Sequence, residues 1–503
     1  MQDAVLGLDV GTSALKAVLY TQNGCELFAT QQSYRLAKPR PGWVELDGEE
    51  MWRALIAVLR AAAAAAGATT RIASLALAAQ AGSMVPVGAD GQAVAPMITW
   101  LDQRAEPLVA GWRADGSAAR IRQISGWRPQ AGLPLACLAW LTRNDRTVAE
   151  RTARYLGAHD YLVQRLTGQC VTDLSAGAET LLLDHTTGAW SEELCELAGI
   201  RVDQLPALAS AGAIAGGLLP EVQVATGLRA GTVVVVGGHD QCCAALGMGV
   251  TAPGQVMLAA GTAWVITALT NTLTVDRVPE QMDLNFHVAP NVRTVSQLLG
   301  GFGATVEWWL DVAWSPATGA HGSAARAELY AALDRALLGS QAGAHDLLFL
   351  PPGCGTQGNG GTAGGGFSGL RLDHGRADMA RAILEGVAFA VRAALDALAQ
   401  AGLPADRMWM SGGAARSPVW PGILASVTGV PLLLAVDANW PARGAGLLAA
   451  VGSGRIETLE EASSRWRAPL DQVEPDGDLR RLYGRRYRAY RELASILTMA
   501  QED

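Results

Sequence analysis

The sequence predicts an α/β protein built from two related halves, and three observations carry that prediction. Apolar runs of strand length alternate with longer segments of helix formers, the pattern of sheets covered by helices. A strand–turn–strand unit near the start recurs half a chain later, with Gly11 and Gly261 at matching places. The 503 residues are 50% hydrophobic and 17% charged. That is enough apolar content for roughly two to four domains and too much for wholesale disorder.

In chain order, residues 4–10 (AVLGLDV) and 14–20 (ALKAVLY) flank Gly11-Thr12-Ser13, a strand, a tight turn and a returning strand. Ala61–Ala66 continues Met51–Arg60 with strong helix formers, so 49–66 reads as a helix rather than a linker. Thr232–Val236 is a buried-strand run ended by Gly237-Gly238, with His239-Asp240 just beyond. The second unit is Gln255–Ala260, Gly261-Thr262 and Ala263–Thr270, followed by helices over 376–401 and 441–452. Residues 351–369 (PPGCGTQGNGGTAGGGFSG) have neither period and read as a linker or as a loop beside a cleft.

Composition excludes several classes of function. A net charge of −8 with no basic block argues against nucleic-acid or anionic-membrane partners. Lysine occurs only at Lys16 and Lys38. Residues 1–5 lack the basic-then-apolar pattern of a secretory signal. The uncharged stretch Gln241–Val275 is interrupted by Pro253 and four glycines, so it reads as buried strands and turns, not a membrane span. Seven scattered cysteines with no C-x-x-C pair suit a reduced, cytoplasmic compartment.

A few segments could carry chemistry. Asp9 closes a strand, and Gly11, Thr12 and Ser13 follow on a turn whose N–H groups and hydroxyls can cradle phosphate. Asp9 can hold Mg²⁺ or its waters, and Lys16 adds a point charge toward the phosphates. An ordinary hairpin with a capping Asp fits the same residues. Asp240 lies beyond the C-terminal end of a buried strand, where α/β sheets bind ligands. It can act as a general base or cap the helix starting near Gln241, and adjacency alone does not choose between it and His239. Gly412 and Gly413 in SGGAARS (411–417) permit close backbone approach to a flat or phosphorylated ligand. Gly300–Thr305 (GGFGAT) lacks the third glycine and the preceding strand of a dinucleotide fingerprint, and no Walker A motif is present. Trp100, Asp102 and Arg104 combine a stacking face, a carboxylate and a guanidinium, which suits a sugar or an exposed ion pair.

Taken in order, these segments resemble the FGGY family of carbohydrate kinases, xylulokinase-like members above all, over nearly the whole chain. Gly365–Leu370 followed by Asp378–Glu385 matches the family's C-terminal signature. Around Pro134–Asn144 the N-terminal signature keeps Pro134, Trp140 and Leu141 but has Cys137 in place of the usual lysine. The resemblance implies two actin-like (ribonuclease-H-like) ATPase domains flanking a cleft, 1–246 for sugar and 247–503 for nucleotide, with ATP and Mg²⁺ as cofactors. It implies a first phosphate segment of Asp9, Gly11, Thr12, Ser13 and Lys16, and a second of Gly261 and Thr262. Gly303 and Glu307 would open a nucleotide-side helix, and Gly412, Gly413, Ala414 and Ser417 would form the adenosine loop. Asp240 in GGHDQ would be the base, sharing the metal neighbourhood with Asp9, and Val171–Ser175 through Trp190 would support the first domain.

On the sugar side stand Gln80, Ala81, Gly82, Trp100, Asp102 and Arg104. Trp100, Asp102 and Arg104 fit the pentulose-kinase pattern, whereas Gln80-Ala81-Gly82-Ser83 replaces the Gln-Met-His-Gly of xylulokinases and the Arg-Glu of glycerol kinases. Small residues at 81 and 82 would leave room for a bulkier sugar. The 351–364 segment lacks the Glu-Arg-x-Pro common in xylulokinases. The expected activity is ATP-dependent phosphorylation of a ketose or polyol hydroxyl, with a non-catalytic nucleotide switch or sugar-sensing regulator as rivals. A homodimer is compatible with the resemblance, and no exposed apolar stripe can be assigned to its interface.

Overall fold

The computed structural model describes residues 2–314, 323–352, 364–436 and 439–502. Its first half is organised on a six-stranded sheet. From one edge the strands are Ile214–Gly217, Val233–His239, Thr70–Ala79, Gln2–Val10, Ala14–Thr21 and Glu26–Ser33. The three nearest the far edge form an antiparallel meander, while Thr70–Ala79 and Val233–His239 run parallel to Gln2–Val10. The second half repeats this plan. Arg293–Gly300, Trp264–Thr270 and Val256–Ala260 form the meander, and Met408–Ser411 and Leu432–Ala435 continue in parallel. The turns at Gly11 and Gly261 thus sit at equivalent corners of two like sheets.

Strand periodicity explains how the first sheet is covered. Leu6, Leu8 and Val10 point to one face and pack on Met51, Leu55 and Leu59 of the helix Gly48–Ala66. That helix is capped by Asp47, which accepts from the Glu49 N–H at 2.9 Å. Val5 and Ala76 face the other way, onto Ala445 and Leu448 of the helix Trp440–Gly452, which comes from the second half. Glycine makes that packing possible, since a Cβ on Gly7 would lie 1.8 Å from the Ala442 carbonyl oxygen. Trp440–Gly452 also crosses the helix Asp240–Met248 backbone to backbone, where a Cβ on Gly444 would lie 1.8 Å from the Cys243 carbonyl oxygen. The two halves therefore meet along a seam of small residues.

A smaller five-stranded sheet, Leu36–Ala37, Glu45–Leu46, Met97–Ile98, Met84–Val87 and Arg154–Gly157, carries the loops that overhang the cleft. Two expectations need correction. The first part of the uncharged stretch is not strand or turn but the helix Asp240–Met248, in keeping with the helix expected to start near Gln241, and it is ended by Gly249 in the left-handed region. Within 351–369, Gly366–Ser368 is a strand paired antiparallel with Leu348–Leu350, because Phe367 docks on Phe349; residues 353–363 lie outside the described residues. Among the described residues, no helix is long and apolar enough to cross a membrane.

Candidate active site

Two cavities meet at the Gly261 turn. The first, of 380 Å³, opens between the halves. Thr12, Gln80, Ala81, Trp100, His239 and Asp240 line it from one side, and Ala259, Ala263, Asn285 and Ser296 from the other. The second, of 660 Å³, lies within the second half and is lined by Gly261, Thr262, Gly303, Glu307, Gly413, Ala414 and Ser417. Residues 259–263 form the partition between them.

The first-half corner is built by hairpin register. Asp9 and Lys16 are cross-strand partners, which brings Lys16 Nζ to 3.6 Å from Asp9 Oδ2. Tyr34 donates to the Gly11 carbonyl and holds the turn, and Thr12 Oγ1 accepts from Trp100 Nε1 at 3.0 Å, tying the Gly11–Ser13 turn to the Trp100 loop. Asp9 is only 8% exposed. Burial, and then the negative charge of Asp240, raise its carboxyl to about 6 against the pull of Lys16. That coupling puts the two carboxylates within electrostatic reach of each other.

Asp240 is the first residue of its helix, so it sits at the positive end of the helix dipole. The strand beneath it is tightly supported. A Cβ on Gly238 would meet Ser175 Oγ at 2.8 Å, and Ser175 Oγ accepts from the His239 N–H at 3.0 Å. Asp173 caps the short helix Leu174–Ala178, accepting from the Ser175 and Ala176 N–H groups. The 171–175 segment therefore backs the strand end that presents the acid. His239 lies between carboxylates, 2.9 Å from Glu179 and 3.1 Å from Asp240. Burial opposes its charge, but Glu179 and Asp240 hold the imidazole well above its ordinary value.

The second cavity depends on close backbone approach. A Cβ on Gly303, at the start of the helix Phe302–Ala313, would lie 2.2 Å from the Gly261 carbonyl oxygen. Gly412, at φ +95°, would bring a Cβ to 2.5 Å from the Ala260 carbonyl oxygen. Glu307 is held by Arg326 and by the Tyr330 hydroxyl. Ser417 donates to Asp334 at 2.7 Å while accepting from the Trp420 N–H, so it orders the loop into the following helix.

Not every expected residue reaches the cleft. Asp102 is fully buried behind it and accepts from the Val44 N–H, the Arg104 N–H and the Arg104 guanidinium. Arg104 also bonds Glu45 and stacks 3.7 Å over Trp43. Both are spent on internal contacts, so the structure does not bring them to a sugar. Gly82, at φ +74°, opens no room either, because a Cβ there would meet Leu133 at 2.7 Å. Cys137 is buried, and its thiol donates to the Ala131 carbonyl at 3.3 Å. Conversely, Trp127, Gln130, Glu179 and Asn285 line the cleft, and Tyr330, Asp334 and Trp420 line the second cavity. None of these carried a sequence signal, because they are gathered from several loops and helices, with no more than two from any one.

Comparison with known proteins agrees with this geometry. The chain is 29% identical over 493 residues to the xylulose kinase of Escherichia coli (strain K12), covering 97% of this chain and 98% of that one. It is 30% identical over 488 residues to the glycerol kinase of Methylibium petroleiphilum, covering 92% and 93%. The crystal structure of xylulose kinase from Rhodospirillum rubrum superimposes with a TM-score of 0.90 at 28% identity, covering 99% of this chain and 100% of that one. Residues 4–247 match the N-terminal domain, and residues 256–453 the C-terminal domain, of one family model. With both halves so matched around a shared two-cavity cleft, the chain belongs to the FGGY family of carbohydrate kinases, enzymes that transfer phosphate from ATP to a sugar hydroxyl.

Proposed function

We propose that the chain phosphorylates a neutral ketose, a pentulose or related polyol, with Asp240 as the general base. The observation that carries this reading is the shared partition. An acceptor held beside Asp240 and a nucleotide held beside Gly413 would meet across the turn at residues 261–262. Trp100 offers a face for the sugar carbons and Asp240 a hydroxyl partner, while the Gln80 and Asn285 amides that border the cleft already bond Gly11, Ser83, Ser175 and Phe286. Charge in the cleft is largely paired, with Arg128 Nε and Nη2 on Asp283 and His239 between two carboxylates, while Arg128 Nη1 has no hydrogen-bond partner among the described residues. The xylulose kinases among the relatives point to a ketose.

In the proposed step the sugar hydroxyl gives its proton to Asp240 as its oxygen attacks the γ-phosphorus in line. The turns at Gly11–Ser13 and Gly261–Thr262 supply N–H and hydroxyl groups to the phosphate oxygens, and Lys16 adds positive charge. Positioning and charge neutralisation account for most of the rate in this chemistry. Among the described residues, no three His, Cys, Asp or Glu side chains are grouped to hold an ion by themselves. That suits Mg²⁺, which keeps its waters and binds through one or two carboxylates plus phosphate oxygens; Asp9 is the residue that would hold it. When bound, the ion neutralises charge on the transferring phosphoryl group. Six cysteines stand free among the described residues, which supports a reduced, cytoplasmic setting.

The test is an ADP-release assay over pentuloses, hexuloses, polyols and aldonates. A ketose or polyol should stimulate release well above the sugar-free rate. A best response to an aldonate would overturn the choice of acceptor, and equal release with and without every sugar would point to a nucleotide switch.

A further inference from the structure

We infer that Glu179 and His239 form a positioning relay for Asp240. His239, held from behind by Glu179, fixes one carboxylate oxygen of Asp240 so that the other faces the sugar hydroxyl. The inference rests on Asp240 being the base and goes beyond that reading by assigning what aims it.

Geometry carries the argument. His239 Nδ1 is 2.9 Å from Glu179 Oε1, and His239 Nε2 is 3.1 Å from Asp240 Oδ1. Both neighbours are carboxylates, so each ring nitrogen sits in an ion pair and the ring cannot rotate without breaking one of them. Glu179, His239 and Asp240 all line the same cleft. The backbone of His239 is fixed as well, since its N–H donates to Ser175 Oγ at 3.0 Å, and Cys242 Sγ packs 3.9 Å from Nδ1. Asp240 begins a helix directly after a strand, and no other side-chain partner within its own helix orients it. An aspartate on a single χ1 bond can swing its oxygens by about an ångström, and errors of that size cost catalysis heavily.

The chemical step is balanced without any further reagent. The sugar O–H bond breaks, and its proton goes to the Asp240 oxygen that His239 leaves free. The alkoxide electron pair forms the new O–P bond as the bond from phosphorus to the ADP oxygen breaks. Glu179 and His239 touch neither reacting atom.

Steady-state kinetics with Mg·ATP and the ketopentose giving the fastest wild-type ADP release test the relay. His239→Leu and Glu179→Ala should each lower kcat by about 30-fold while both KM values stay within about twofold. His239→Gln, whose amide can still donate to Asp240, should recover to within about fivefold of wild type. The double variant should fall no lower than His239→Leu alone, because the two act as one unit. Melting curves check folding, and the Glu179 and His239→Gln variants carry the test if His239→Leu does not fold. Wild-type kcat in His239→Leu and Glu179→Ala beside an inactive Asp240→Asn overturns the relay and leaves the base in place. A loss confined to the sugar KM, or a double variant falling by the product of the single losses, also overturns it. Full turnover by Asp240→Asn overturns the base assignment and the relay with it.

Discussion

Three carboxylates in the first half have different fates, set by their surroundings. Asp240 pairs with His239 and repels Asp9, effects of opposite sign on folding, so Asp240→Asn should still fold in one cooperative transition while losing at least about 100-fold in turnover. Asp102 is the converse. It anchors Arg104 in the interior, so Asp102→Ala leaves a buried guanidinium with Glu45 as its remaining carboxylate and should cost up to about 3–5 kcal/mol, read by chemical denaturation. Asp9 is the strained case. Its carboxyl is raised from 3.8 to about 6, so the folded state binds that proton more tightly than the unfolded chain does. Ionisation therefore penalises folding fully above about pH 6, and the penalty fades as pH falls toward 4. Two units at ~1.4 kcal/mol each set an upper bound of about 3 kcal/mol. Asp9→Asn should unfold at a higher temperature than wild type at pH 7.5 in the absence of nucleotide, and at the same temperature near pH 4. Equal melting at both pH values would remove the charge conflict.

At the scale of elements, glycine contacts govern the nucleotide side. Gly303→Ala places a Cβ against the Gly261 carbonyl oxygen, at 2.2 Å in the present backbone, so the helix or the turn must shift. The expected result is an ATP KM raised by about tenfold or more with the sugar KM nearly unchanged; a sugar KM raised in parallel would contradict it. The elements were largely legible in the sequence because their signals are local. Alternating apolar runs marked the two meanders, and Gly-Thr turns marked their corners. What stayed hidden was which way a loop faces. Trp100 and Asp102 are two residues apart, yet one lines the cleft and the other is sealed behind it, and five residues of sequence carry no measure of that difference. Glu179 was silent for a related reason: its value comes from His239, 60 positions away in the chain.

At the scale of the whole molecule, two like sheets are joined through the crossing of Trp440–Gly452 with Asp240–Met248. The crossing leaves no room for side chains, so Gly444→Val should force the helices apart. It should lower the melting temperature of the whole chain in one transition, because the packing is shared by both halves. Two separate transitions, with only one displaced, would show that the halves unfold independently. The partition at residues 259–263 has a further consequence for how such a catalyst can diversify. On the proposed reading, acceptor choice is written on one side of it, mostly by loops of the first half, and donor handling on the other. Acceptor preference can therefore be retuned by exchanging overhanging loops, with the machinery that grips the triphosphate left intact.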